Sequence, residues 1–162
     1  MNLAFEVLMV VALLGGVDVL WFHLYRLRLY ERPASRAEQF THLSRHLLFA
    51  AVSGLMVTGA PRWVLMALLA IDLVNSLVDL VLEPRSRAEL GGVSGLESAI
   101  HGAAVFGLGM VTALVWTSST TWEPSGLQLT RGLATSGLAI MLFTVELTLT
   151  LRRAPHTLAS PS

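Results

Sequence analysis

Three runs of the chain set imidazoles and carboxylates at spacings that a helix turns into ligand sets. Glu38, His42 and His46 recur every four residues, and so do Glu97 and His101, so each run lies along one helix face. The third run is ALLAIDLVNSLVDLVLE, from Ala67 to Glu83. Around its axis Asp79 falls about 20° to one side of Asp72, Glu83 about 20° to the other, and Asn75 roughly 60° away. Asp18 and His23 form a fourth pair, but five residues of regular helix set them about 140° apart. One of those two is therefore expected to point away from the core.

Imidazole and carboxylate groups arriving from several facing helices make the donor set of mononuclear and dinuclear metal sites in bundles. The pattern predicts a divalent ion (zinc, iron or manganese) held by His42, His46, Asp79, Glu83, Glu97 and His101. Asp18, His23, Glu38 and Asp72 are further candidates for the same polar site. The Glu–His spacing is i, i+4, whereas di-iron bundles use i, i+3, so the likeness is one of chemistry. A bound metal that activates water or oxygen implies a redox or hydrolytic enzyme acting on a lipid-like substrate; no residue is assigned as catalytic.

Two other functions compete. His46 and His101 on different helices could be the axial ligands of haem b in an electron carrier, with Arg45 meeting a propionate. A non-enzymatic accessory subunit, or a proton or cation pathway with Asp72 below Asp79, is the third. Structural roles compete as well. Glu38 and Glu97 stand near helix starts, where capping and the helix dipole account for an acid. Glu146 is expected to pair with the arginines at 152 and 153 at the headgroups. A His–Asp network could also simply tie helices together.

The elements that must position these residues read as membrane spans. The chain has 162 residues, 54% hydrophobic and 14% charged, with a mean hydropathy of +0.65, too apolar for an ordinary soluble domain. The pattern predicts an all-α, polytopic transmembrane bundle of about five spans, with four as the alternative. The first covers about Leu3–Tyr25 and the second starts near Ala37 and spans Leu47–Thr58. The third runs from Pro61 to about Glu83, where Pro84 stops it; the fourth covers Leu96–Trp116 and the fifth Leu127–Leu151. Ser35 with Glu38 predicts a capping box at the second helix. Glycines 102, 107, 109, 132 and 137 predict close helix packing. Residues 1–153 form a single bundle and 154–162 a disordered tail. The opening MNLAFEVLMVVALLGG lacks a basic n-region and a cleavage site, and reads as a retained span.

All eleven basic residues are arginines. Nine of them fall after span one, early in helix two, after span three and after span five, leaving Arg62 and Arg131 on the other side. Positive-inside reasoning then places the N-terminus outside and the C-terminus in the cytoplasm. The candidate ligands collect in one layer near the inner leaflet, with Asp72 about 10 Å deeper. There is no cysteine, which excludes thiolate ligands and disulfides, and no lysine, which excludes a phosphate-binding P-loop. Topology accounts for the arginines without nucleic acid. The expected partners are membrane lipid, a small lipophilic substrate, and a second copy or a larger membrane complex.

The residues Asp18, Leu20–His23 and Arg26, then Glu38, His42, Arg45 and His46, then Asp79–Val81 and Glu83, then Glu97, His101 and Gly102 form a recurring pattern. It resembles that of a group of small, uncharacterised bacterial multi-span inner-membrane proteins. The resemblance covers spans one to four and implies fold and location. It carries no activity.

Overall fold

The structure, a computed structural model, describes residues 2–118 and 123–152. Five long helices account for most of these residues, and no strand occurs among them. Helix α1 (Asn2–Val17) continues into a wider π-helical segment, Asp18–Arg26. Two short 3₁₀ turns, Leu29–Glu31 and Pro33–Ser35, lead into α2 (Arg36–Val57), which is followed by α3 (Arg62–Ser86). A third 3₁₀ turn, Ala88–Leu90, precedes α4 (Gly95–Thr117), and α5 (Gly126–Arg152) ends the described chain. The expected tail falls outside the described residues.

Four helical stretches are long and apolar enough to cross a membrane: Asn2–Arg26, Arg62–Ser86, Gly95–Thr117 and Gly126–Arg152. Helix α2 has the length, but Thr41, His42, Ser44, Arg45 and His46 dilute its hydrophobicity. Exposed aromatics mark the two ends of the bundle. Trp21 and Tyr25 stand at one end and Trp63 and Trp116 at the other, as interfacial belts do.

Side-by-side packing runs in the order α5, α2, α3, α4, α1. Along the helix axes, from one end of the bundle to the other, the interior changes character. One half is apolar, built from Phe5, Leu8, Val52, Met56, Leu69, Leu108 and Val111. The other half is polar. On α3 the buried positions are Leu65, Leu69, Asp72, Ser76, Asp79, Glu83 and Ser86, spaced three or four apart, while Val74, Leu77, Val78 and Val81 face outward. The stripe of acids therefore lies inside, and the aliphatic surface faces what surrounds the bundle.

Two of the glycines expected to pack closely do so. A Cβ at Gly107 would meet Val11 Cγ2 at 2.5 Å, and one at Gly132 would meet Val57 Cγ1 at 2.5 Å. Glycines 102, 109 and 137 face open space instead. Helix α3 also runs past Pro84 to Ser86; the Arg87 amide bonds the Glu83 carbonyl at 3.1 Å, closing the turn that contains the proline. The expected capping box at Ser35 does not form. Its side chain makes no cap, and Glu38 is turned inward.

Candidate metal centre

The π-helical segment corrects the reading of Asp18 and His23. A π turn closes i→i+5 hydrogen bonds, so residues five apart stack on one face. Here the Leu27 amide donates to the Phe22 carbonyl at 2.8 Å, and His23 Nε2 lies 3.3 Å from Asp18 Oδ2. Both side chains are buried and point into the bundle.

His23 is the centre of the site. Its ring centroid is 4.1 Å from that of His42 on α2 and 6.1 Å from that of His101 on α4. Two groups of potential ligand atoms meet at it, Asp18–His23–His101 and His23–Glu38–His42, each with its atoms within 4.8 Å of one another. An ion with metal–ligand bonds of about 2.1 Å would draw either group together through sub-ångström movements.

In the first group, His101 Nε2 is 2.7 Å from Asp18 Oδ2, while His101 Nδ1 is 3.0 Å from Glu83 Oε1 at an angle that makes no hydrogen bond. In the second, His42 Nε2 stands 3.9 Å from Glu38 Oε1 and 3.4 Å from Asp79 Oδ1. Asp79 Oδ1 accepts a hydrogen bond from Thr41 Oγ1 at 2.5 Å, and Asn75 Nδ2 donates to the Thr41 carbonyl at 2.8 Å. Five buried atoms of this layer have no hydrogen-bond partner among the described residues: Asp18 Oδ1, Glu38 Oε1, His42 Nε2, Glu83 Oε1 and His101 Nδ1. Buried polar atoms without partners are rare in native interiors and call for a ligand, water or ion.

Arg87 is the residue the sequence reading passed over. It lies just beyond α3 and is completely buried. Its Nη1 donates to Glu38 Oε2 at 2.8 Å, and its Nε and Nη2 donate to Glu97 Oε1 at 3.0 and 2.6 Å. Ser86 Oγ also donates to Glu38 Oε2. Burial alone would lower the Arg87 pKa, but Glu38, and then Glu97, hold it above its ordinary value. Arg87 Nη2 lies 3.4 Å from His23 Nε2 and can donate to it only while that nitrogen carries no proton. Asp18 Oδ2 favours the opposite tautomer, so His23 Nε2 faces one donor and one acceptor. A cation on that nitrogen suits Asp18 Oδ2, while Arg87 Nη2 keeps its bond to Glu97 Oε1.

The charges need balancing as well. Six buried carboxylates, Asp18, Glu38, Asp72, Asp79, Glu83 and Glu97, stand with two guanidiniums, those of Arg45 and Arg87, and three imidazoles, those of His23, His42 and His101. Protons or a bound cation must balance the surplus, because isolated charges in a low-dielectric interior cost several kcal/mol each.

Of the residues expected as ligands, the structure brings His42, Asp79, Glu83 and His101 together with Asp18, His23 and Glu38. Glu97 is committed to Arg87, although Ser94 Oγ caps its amide at 3.2 Å as the helix start requires. Asp72 lies deeper beside Arg45, 3.6 Å from Nε. His46 turns the other way, and its Nε2 is 3.0 Å from Glu146 Oε2 on α5. Glu146 is buried in this pair; of the two arginines expected to hold it, Arg152 is exposed and residue 153 lies outside the described residues.

Between α1, α2 and α5 a half-open cavity of about 80 Å³ reaches the cluster, with Asp18, His42, Arg45 and His46 at its polar end. Comparison with models of protein families, with curated proteins and with solved structures gave no match in any of the three.

Proposed function

We propose that this chain is a multi-pass membrane protein that holds a divalent metal ion in the layer around His23. In this reading the protein crosses the bacterial inner membrane five times, with its N-terminus outside and the metal layer toward the cytoplasm. The arginine distribution supports that orientation, and the 22-residue α2 supports the fifth crossing. The observation that carries the metal assignment is the pair of buried ligand groups sharing His23, with unpartnered donor atoms in both. Asp18, His23, Glu38, His42 and His101 supply the ligands. Glu83 and Asp79 stand beside them as further ligands or proton carriers. Nitrogen and oxygen donors together suit zinc, iron or manganese. Such an ion supports activation of water or oxygen, and with it redox or hydrolytic chemistry on a lipid-like substrate.

The geometry favours an ion over haem. His46 and His101, the imidazoles available as axial ligands, are engaged by different carboxylates, Glu146 and Asp18. Metal analysis of tag-free protein purified in detergent without chelator tests the reading. One or more equivalents are expected in the parent. His23→Ala, which takes a ligand from both groups, should lose them, and His46→Ala should keep them. Protein that stays metal-free after supplementation with zinc, iron and manganese in turn would sink the proposal and leave the cluster as a helix-joining network.

A further inference from the structure

The cluster around His23 holds more donors than one ion uses. Ligands of a single ion at about 2.1 Å lie no more than about 4.2 Å apart. Here the donors fall into two groups that share only His23. His23 Nε2 and His101 Nε2 flank the same oxygen, Asp18 Oδ2, at 3.3 and 2.7 Å. Beside them, His42 Nε2 has Asp79 Oδ1 at 3.4 Å and Glu38 Oε1 at 3.9 Å. Each set offers three protein ligands, the number that catalytic metal sites use beside an open position. His42 Nε2 and Glu38 Oε1 have no hydrogen-bond partner among the described residues, and both residues are more than nine-tenths buried.

The outer contacts fit the same division. Metal-bound imidazoles and carboxylates are held in place through their other atoms. Glu83 Oε1 lies 3.0 Å from His101 Nδ1, while the other ring nitrogen faces Asp18. Glu38 gives its second oxygen, Oε2, to Arg87 and Ser86, which leaves Oε1 for an ion. Thr41 Oγ1 donates to Asp79 Oδ1. Charge supplies an independent count. Ligating imidazoles are neutral, and the six carboxylates of the layer then exceed its two guanidiniums by four charges. Two divalent ions cancel that surplus, whereas one leaves half of it in a low-dielectric interior.

We infer that the layer binds two divalent ions side by side, the first on Asp18, His23 and His101 and the second on Glu38, His42 and Asp79. This reading rests on the metal assignment and raises its count from one ion to two. His23 also stands within ligand range of the second set, so its removal disturbs both. Two-metal sites hold their ions about 3.5–4 Å apart. The rings of His23 and His42, one from each set, have centroids 4.1 Å apart. Asp18 and His42, again one from each set, both line the cavity between α1, α2 and α5. A molecule entering there meets both ions at once, the position from which two-metal sites clamp the attacking and leaving oxygens of a displacement.

The test is the zinc content of the tag-free full chain in detergent, saturated with zinc and freed of loose ions by gel filtration. The parent should hold two equivalents, His42→Ala and His101→Ala one each, and the double variant none. Melting followed by tryptophan fluorescence shows that each variant is folded. A second readout needs no variant: the manganese-loaded parent should give the spin-resonance spectrum of two coupled ions, not that of an isolated ion. One equivalent in the parent, with an uncoupled spectrum, would overturn the pair and leave the single-ion reading standing. A parent that binds no metal would overturn both. Loss of both ions from either folded single variant, or any ion kept by the double variant, would overturn the assignment of the two sets.

Discussion

Replacing Arg87 with methionine removes the one cation that Glu38 and Glu97 share. The guanidinium is fully buried and makes three hydrogen bonds to these carboxylates, between 2.6 and 3.0 Å. Methionine keeps most of the packing but leaves two buried acids without a counter-charge. Breaking a buried pair from one side costs about 3–5 kcal/mol, because the remaining charge stays desolvated. At roughly 2–4 °C per kcal/mol for a chain of this size, the thermal midpoint should fall by about 6–20 °C. Tryptophan fluorescence during heating in mild detergent reads this directly, since the chain has four tryptophans. Adding Glu38→Gln and Glu97→Gln to Arg87→Met removes the stranded charges, and the triple variant should regain most of the loss. A midpoint for Arg87→Met within about 2 °C of the parent, or a triple variant no better than the single, would refute the argument. The acids would then be protonated or otherwise neutralised, and Arg87 would not hold them.

Metal at about a hundred times its Kd should stabilise the folded protein by about 2.7 kcal/mol, a rise of roughly 5–11 °C that chelator reverses; an unchanged midpoint counts against the ion. Gly107→Ala forces a methyl against Val11 and should cost about 1–3 kcal/mol, whereas Gly102→Ala enters open space and should be close to neutral in the same melt. Glu146→Gln weakens the bond to His46 and should cost about 1 kcal/mol without loss of metal; loss of metal would place His46 back in the site. The chain lacks cysteine, so single cysteines can map topology. With five crossings Ala60→Cys labels from the outside and Ala34→Cys only from the cytoplasm, and labelling of both from one side would show that α2 does not cross.

The acidic stripe of α3 was legible because one helix generates it. Asp72, Asp79 and Glu83 share a face in any regular helix, and Val74 and Val81 share the opposite one. The pairs Glu38–His42 and Glu97–His101 were legible for the same reason. Asp18–His23 was not, since regular helical angles separate these residues and nothing in DVLWFHLYR announces a π turn. His46 lies only about 40° around α2 from His42, but α2 is flanked by α3 on one side and α5 on the other. That rotation is enough to exchange Asp79 for Glu146, and tertiary packing alone decides it. Arg87 was counted as a loop arginine that sets orientation. Its return into the core depends on the path of the chain after Pro84, which no local pattern encodes.

Helix α2 has a consequence for how the protein is made. It is the helix least able to enter hydrocarbon alone, since an arginine at mid-bilayer costs about 2.5–3.5 kcal/mol on insertion scales. Three of its polar residues find their counterparts on the neighbouring α3, where Arg45 faces Asp72 and Asp79, His42 faces Asp79, and Ser44 donates to Asn75. The tight Gly59–Pro61 turn joins the two helices directly. Taken alone, α3 has the length and hydropathy to enter hydrocarbon, and α2 does not. As a preassembled hairpin, with the polar faces turned toward each other, they present the membrane with Leu, Val and Phe. If α2 crosses the membrane, the unit of insertion in this part of the chain is the pair, with α3 supplying the polar face that α2 needs.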